Sequence, residues 1–268
     1  MLAIQKVSSM DAPEVLVVLP TLGDRLDTLR LTLDSVMQQQ SELGLTLVVV
    51  APPSAVEARK MARSMGAVIV DDPKTGISAA INCGLAARTV EKYYAWVGDD
   101  DLFRPQGLST LRTVIESREN TVLAFGGCDY IDPEGRTITV SNAGRLATIL
   151  LPWGPDLIPH PGTLIRLDAL EAIGGFDPEL KYAMDLDAFL KLRKYGRFAW
   201  TRRSVSAFRW HPDSLTVANR LGSSREAESV KRRHLPAALR PISGAWHRPI
   251  RWASAYAANR INARARAL

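Results

Sequence analysis

The chain has 268 residues, 46% of them apolar and 23% charged, which is enough to bury the core of one large domain, alone or with an appendage. Its formal charge of +6 is uneven: residues 1–224 carry 24 Lys and Arg against 26 Asp and Glu, whereas residues 225–268 carry 10 against 2. A slightly acidic body with a basic tail excludes a nucleic-acid binder of the usual kind, whose cationic patch lies on the folded body.

The first elements alternate. "EVLVVLP" (14–20) reads as a buried strand stopped by Pro20, and "RLDTLRLTLDSVMQQ" (25–39) spaces Leu26, Leu29, Leu33, Val36 and Met37 as a helix does. "LTLVVVAPP" (45–53) is a second strand. "SAVEARKMARSMG" (54–66) is a second helix, with Ser54 placed to cap its start and Gly66 its end. "AVIVDD" (67–72) and "YYAWVGDDD" (93–101) are the third and fourth strands, separated by a helix over 77–89. This rhythm implies βαβ units, hence an α/β fold with a mostly parallel, helix-covered sheet. Beyond residue 104 the expected elements are a helix in "PQGLSTLRTVIES", a strand in "TVLAFGGCDYID" and a turn at "PEGRT". Further helices are expected in "RLATILLPW", "LDALEAIGG" and 184–196, and strands in "GTLIR" and 199–210. Cys83 and Cys128 lack the spacing of a zinc site or disulfide framework, and no run of about 18 apolar residues reads as a membrane span or signal peptide. A cytoplasmic protein is expected.

Ligands of parallel sheets collect at the carboxyl ends of the strands. There lie "PTLGDR", "APPS", "DDPKTG" and "GDDD", in which Arg25, Asp72 and Gly76 are candidate ligand contacts. Carboxylates at i and i+2 leaving a strand point to one side, so Asp99 and Asp101 are expected to share a Mg²⁺ or Mn²⁺ ion while Asp100 faces another ligand. The bland alternative is a solvated acidic turn. Asp185 and Asp187 begin an amphipathic helix, either as charges favoured by its dipole or as a carboxylate able to take a proton beside a cleft. His160, between two prolines, is either structural or part of a site, and His211 either caps a turn or supplies an imidazole to the cation.

The ordered set "VVLPTLGDR…LTLDSVMQQ", "GISAAINCGLA", "WVGDDDLF", "IPHPGTLIR", "GGFDPELKYAMDLDAFLKL" and "FRWHPDSLT" resembles family 2 glycosyltransferases of the GT-A fold, over roughly residues 14–216. The resemblance implies an inverting hexosyltransferase-type enzyme using a nucleotide-sugar donor, UDP- or dTDP-linked, with Mn²⁺ or Mg²⁺ bridging carboxylate and diphosphate. It places Pro20, Thr21, Asn82, Asp99 and Asp100 on the donor nucleotide, the metal on Asp99 or Asp101 or both depending on register at Gly98, and the general base at Asp185, with His211 a further candidate ligand of the same cation. His160, Pro161 and Gly162 fall where a glycan or lipid-linked acceptor would bind, in cell-envelope or surface polysaccharide synthesis. The chain departs from the family pattern at Ala51-Pro52, where an aspartate is common, at Ile81 in place of an arginine, at Gly98 and at Met184.

These readings divide the chain into a GT-A domain over 1–224, with donor part 14–104 and acceptor part 105–224, and a basic helical tail over 225–268. With Trp246 and Trp252 among its arginines, the tail is either a peripheral contact at the inner face of the plasma membrane or a helix packing on the domain. A Mg²⁺-dependent nucleotidyltransferase and a non-catalytic sugar-nucleotide-binding scaffold are the competing functions.

Overall fold

In the computed structural model, which describes residues 12–142, 144–210 and 219–265, the first half of the chain follows the alternating pattern closely. Strands β1 (Val15–Pro20), β2 (Leu45–Ala51), β3 (Val68–Asp71) and β4 (Tyr93–Trp96) are joined through helices α1 (Leu26–Gln39), α2 (Val56–Ser64) and α3 (Ile77–Leu85). They pair in parallel in the order β3-β2-β1-β4. Helix α2 begins after Ala55 with no side-chain cap, so Ser54 does not take the capping role expected of it; Gly66, with φ of +79°, does follow the helix in the left-handed region.

The second half adds β5 (Leu102–Phe103), α4 (Gly107–Glu116), β6 (Thr121–Ile131), β7 (Thr137–Ser141), α5 (Arg145–Leu150), β8 (Thr163–Arg166), α6 (Leu167–Ala172), α7 (Met184–Leu192) and β9 (Arg197–Arg209). The single sheet continues from β4 through β8, β6 and β9 to β5, with β7 beside β6. Here β6 and β9 are parallel, while β8 runs antiparallel to both neighbours. Two helices complete the described chain, α8 (Arg220–His234) and α9 (Gly244–Ala265). The expected boundary at 224/225 falls inside α8.

Period-two alternation builds two cores, one on each face of the sheet. Val15, Val17 and Leu19 of β1, with Tyr93 and Ala95 of β4, pack under α1, α2 and α4. Leu16 and Val18, with Tyr94 and Trp96, face the other way into a core shared with α3, α6 and α7. A Cβ on Gly84 of α3 would lie 2.4 Å from Val18 Cγ1, so only glycine lets that helix settle this close to the sheet. The same alternation directs Trp96, the last residue of β4, toward α7 and Asp185.

Candidate active site

Strand β4 ends at Trp96, and Gly98–Asp101 is a turn closed by the Asp101 amide donating to the Gly98 carbonyl at 3.2 Å. Turn geometry replaces strand alternation, so Asp99 and Asp101 do not project together as expected. Asp99 accepts from Thr21 Oγ1 at 2.6 Å, and Asp100 pairs with Arg25 at 2.7 Å, which ties the turn to the loop that follows Pro20, the last residue of β1. Asp101 is 2% exposed: one oxygen accepts the Arg209 amide at 2.9 Å, and the other lies 3.4 Å from His160 Nε2. The Arg209 guanidinium also donates to the Asp100 carbonyl at 3.0 Å, so β9 buttresses the turn.

These surroundings separate the three acids. Burial pushes Asp99 up to about 6, with the Thr21 hydroxyl opposing and the charge of Asp100 adding. Burial raises Asp101 as well, against the hydrogen bond from His160. For His160, burial disfavours the charge, but Asp101 and the nearby Asp185 outweigh it and raise the imidazole above its ordinary value.

Hard divalent cations are ordinarily held by one or two carboxylates, waters and substrate phosphates rather than by an all-protein cage. Among the described residues no group of three or more His, Cys, Asp and Glu converges as a cage. Asp99 and Asp100 fit the lighter arrangement, being adjacent carboxylates of which one is desolvated and held above its usual range. Asp101 does not, because both of its oxygens are engaged away from solvent. His211 lies outside the described residues.

The opposite wall is aromatic. Trp96 Nε1 donates to Asp185 Oδ1 at 3.2 Å, and the His160 ring stacks on the indole with centroids 4.2 Å apart and planes 16° from parallel. One chain of contacts thus runs Asp101, His160, Trp96, Asp185. Asp185 sits in the first turn of α7, and burial raises its pKa against the opposing effects of His160 and the Trp96 bond. The fully buried Tyr94 hydroxyl has no hydrogen-bond partner among the described residues, and burial and Asp185 raise it well above 10. Asp187, two positions on, behaves oppositely: although buried, it is held below the usual carboxylate range by His234 and Lys191, each at 2.8 Å. It fastens α8 to α7, whereas Asp185 bonds Trp96.

Other expected contacts are used structurally. Asn82 does not line the donor loop: its amide donates to the Phe176 carbonyl at 2.7 Å and accepts the Phe176 amide at 3.0 Å, clamping the glycine pair before α7. Pro161 and Gly162 are buried, so only His160 of that trio faces the site. Asp72 accepts the Lys74 amide and Gly76 immediately precedes α3, both past the carboxyl end of the edge strand β3, with β2 and β1 between it and β4. Trp96, Arg209 and Glu226 were not singled out by sequence reasoning. The two-residue alternation of "YYAW" carries the signal for Trp96; Glu226 has none, because it acts from α8 by accepting the amides of Lys181, Tyr182 and Ala183 at 3.0, 2.7 and 2.8 Å, just before α7.

With this geometry in place, the sequence profile described as Glycosyl transferase family 2 matches residues 16–174, more than half of the chain. The chain belongs to glycosyl transferase family 2. An uncharacterized glycosyltransferase of Rickettsia bellii (strain RML369-C) is 23% identical over 146 residues, 52% of this chain and 21% of the relative, so the family 2 chain spans about a fifth of that protein. TarS residues 1–349 of S. aureus, in complex with UDP-GlcNAc, superposes with a TM-score of 0.63 at 15% identity, covering 82% of this chain and 65% of that one. The mannosyltransferase PcManGT of Pyrobaculum calidifontis, in complex with GDP-Man and Mn²⁺, gives 0.62 at 18% identity, covering 92% and 75%. At these identities the likeness is one of fold, and the fold is GT-A.

Proposed function

We propose that the protein transfers a sugar from a nucleoside-diphosphate donor to a hydroxyl acceptor with inversion, Asp185 acting as general base. The observation that carries this reading is the Asp185 carboxylate, raised by burial, oriented by Trp96 Nε1 and joined through His160 to the acidic turn. Asp185 takes the proton of the acceptor hydroxyl as its oxygen attacks the anomeric carbon. The bond to the diphosphate oxygen breaks on the opposite face, and nucleoside diphosphate leaves. Thr21, Arg25, Asp99 and Asp100 hold the donor side. Mg²⁺ or Mn²⁺ on Asp99 and Asp100 would offset charge on the leaving diphosphate.

TarS in complex with UDP-GlcNAc and the mannosyltransferase in complex with GDP-Man and Mn²⁺ support a nucleotide-sugar donor and a divalent ion. We assign a UDP- or dTDP-sugar and a glycan or lipid-linked acceptor of surface polysaccharide synthesis. Among the described residues no helix is long and apolar enough to cross a membrane. Trp252 and Tyr256 of α9, stacked at 6.2 Å and 75% and 57% exposed, support a peripheral contact with a membrane face instead. The test is a thermal-shift screen of nucleoside diphosphates with and without Mn²⁺, followed by release of nucleoside diphosphate from the stabilising donor. A shift requiring metal and diphosphate together supports the reading, and no shift with any nucleotide refutes it.

A further inference from the structure

Helix α8 presents two working faces. Glu226, Val230 and His234, four residues apart in turn, meet the segment before α7 and α7 itself. Arg225, Glu228, Ser229 and Arg232 recur at the same helical spacing on another face. Together with Arg240, Arg251 and the start of α9 they line a cavity of about 410 Å³. That volume is in the range of small-ligand sites. No residue of the acidic turn or of the Asp185 wall belongs to it.

Its charge is not balanced internally. Arg251 pairs with Glu228 through two bonds of 2.8 and 3.0 Å. Arg240 is fixed by the carbonyls of Leu235 and Arg233, both at 3.1 Å, which orient its guanidinium without neutralising it. Arg225 and Arg232 have no carboxylate partner among the described residues. Four arginines and one glutamate therefore line the cavity, and three of the arginines have no paired carboxylate among the described residues. Gly244, the first residue of the 22-residue α9, also lines the cavity and adds the positive end of that helix. Planar forks with fixed donors match phosphoryl oxygens in pairs, and the space is too small for a duplex or a folded partner.

We propose that this cavity is a second anion site, separate from the donor site, that binds the phosphate of a phosphate ester or a diphosphate. Such a group comes either free in solution or as the headgroup of an anionic lipid; the second source fits the exposed Trp252, which follows Arg251 directly.

The test uses the full chain without divalent metal. Calorimetric titration with inorganic phosphate and pyrophosphate is run beside co-sedimentation with phosphatidylcholine vesicles, plain or containing phosphatidylglycerol. Wild type is expected to bind at least one of these anionic probes. Arg225→Gln/Arg232→Gln is expected to weaken that binding by about a hundredfold, since each lost guanidinium–phosphate interaction accounts for roughly tenfold or more. Asp99→Asn, which alters only the donor site, is expected to bind as wild type does, and turnover of a soluble acceptor by the double-arginine variant is expected to be unchanged. Binding of free pyrophosphate identifies a soluble anion, and binding confined to phosphatidylglycerol vesicles identifies a headgroup; both support the site. Arg225→Lys/Arg232→Lys keeps the charge and should recover part of the binding. The proposal is overturned if wild type binds neither probe, if the glutamine variant binds equally well, or if Asp99→Asn removes the binding.

Discussion

Replacing Glu226 with alanine tests whether α8 is part of the catalytic body. Its carboxylate accepts three consecutive amides, those of Lys181, Tyr182 and Ala183, at 3.2 Å or less. A single capping interaction contributes about 1 kcal/mol and a charge-assisted hydrogen bond about 1.5–3 kcal/mol. Because the three donors share one carboxylate in a partly exposed place, the loss should be about 2–3 kcal/mol rather than the sum. At roughly 2–4 °C per kcal/mol for a chain of this size, the melting temperature should fall by about 5–10 °C. Asp185 follows Ala183 by two residues, so a shift of this segment by about 1 Å should also lower kcat, by up to about a hundredfold. Glu226→Gln retains an acceptor oxygen and should lose roughly half as much. Differential scanning calorimetry and initial rates of nucleoside-diphosphate release measure both effects. If Glu226→Ala melts and turns over as wild type does, α8 does not set the start of α7 and the reasoning fails.

Three further outcomes follow from the site. Trp96→Phe removes the indole N–H that lowers Asp185, so the acid limb of the kcat–pH profile should move to higher pH; an unmoved limb would show that the bond does not act on the base. Asp187 is held below its unfolded value of about 3.9, so its stabilising contribution is complete above that pH and is lost as pH falls through the lower folded value. Asp187→Asn should therefore be less stable at neutral pH and show a shallower acid loss in pH-dependent melting, and an unchanged acid limb would contradict the assignment. Asp100→Ala should abolish the Mn²⁺-dependent thermal shift by nucleoside diphosphate while preserving the fold; Asp101→Ala, which strips buried bonds from Arg209 and His160, should chiefly lower the melting temperature. Equal loss of the metal effect with no destabilisation in Asp101→Ala would restore Asp101 as a ligand.

The first half of the fold was legible in the sequence because each strand there is a continuous apolar run and each helix has an apolar stripe, so local pattern and final structure agree. The two-residue β5 carries too few residues for a period to register, and the antiparallel strand β7, in which only Ile138 is buried, has no apolar run to mark it. Asp99, Asp100 and Asp185 stood out by motif and position, and the structure sets them beside Thr21, Arg25 and Trp96 respectively. Assigning a shared metal to Asp99 and Asp101 required extending β4 to residue 101, whereas the Gly98 turn stops it at Trp96 and directs Asp101 inward toward Arg209. Asn82 shows the same limit: a polar residue on the helix after a donor loop reads as a ligand contact, but its bonds go to Phe176, 94 positions away. The tail read as basic by composition, yet Glu226 and His234 within it make the contacts that join it to α7, and no linear pattern announces those pairings.

The central claim is that Asp185 activates the acceptor, and the direct measurement is turnover by Asp185→Asn with the donor that stabilises the wild-type protein. Asparagine retains an oxygen for Trp96 Nε1, so the wall should stay in place. Because burial raises the Asp185 pKa, its ionised form is disfavoured by folding at neutral pH, and the neutral amide should melt no lower than wild type. The account predicts donor affinity unchanged and kcat reduced by about 10²–10⁴-fold. Wild-type turnover in Asp185→Asn, or a loss of donor binding that accounts for the whole effect, would contradict it.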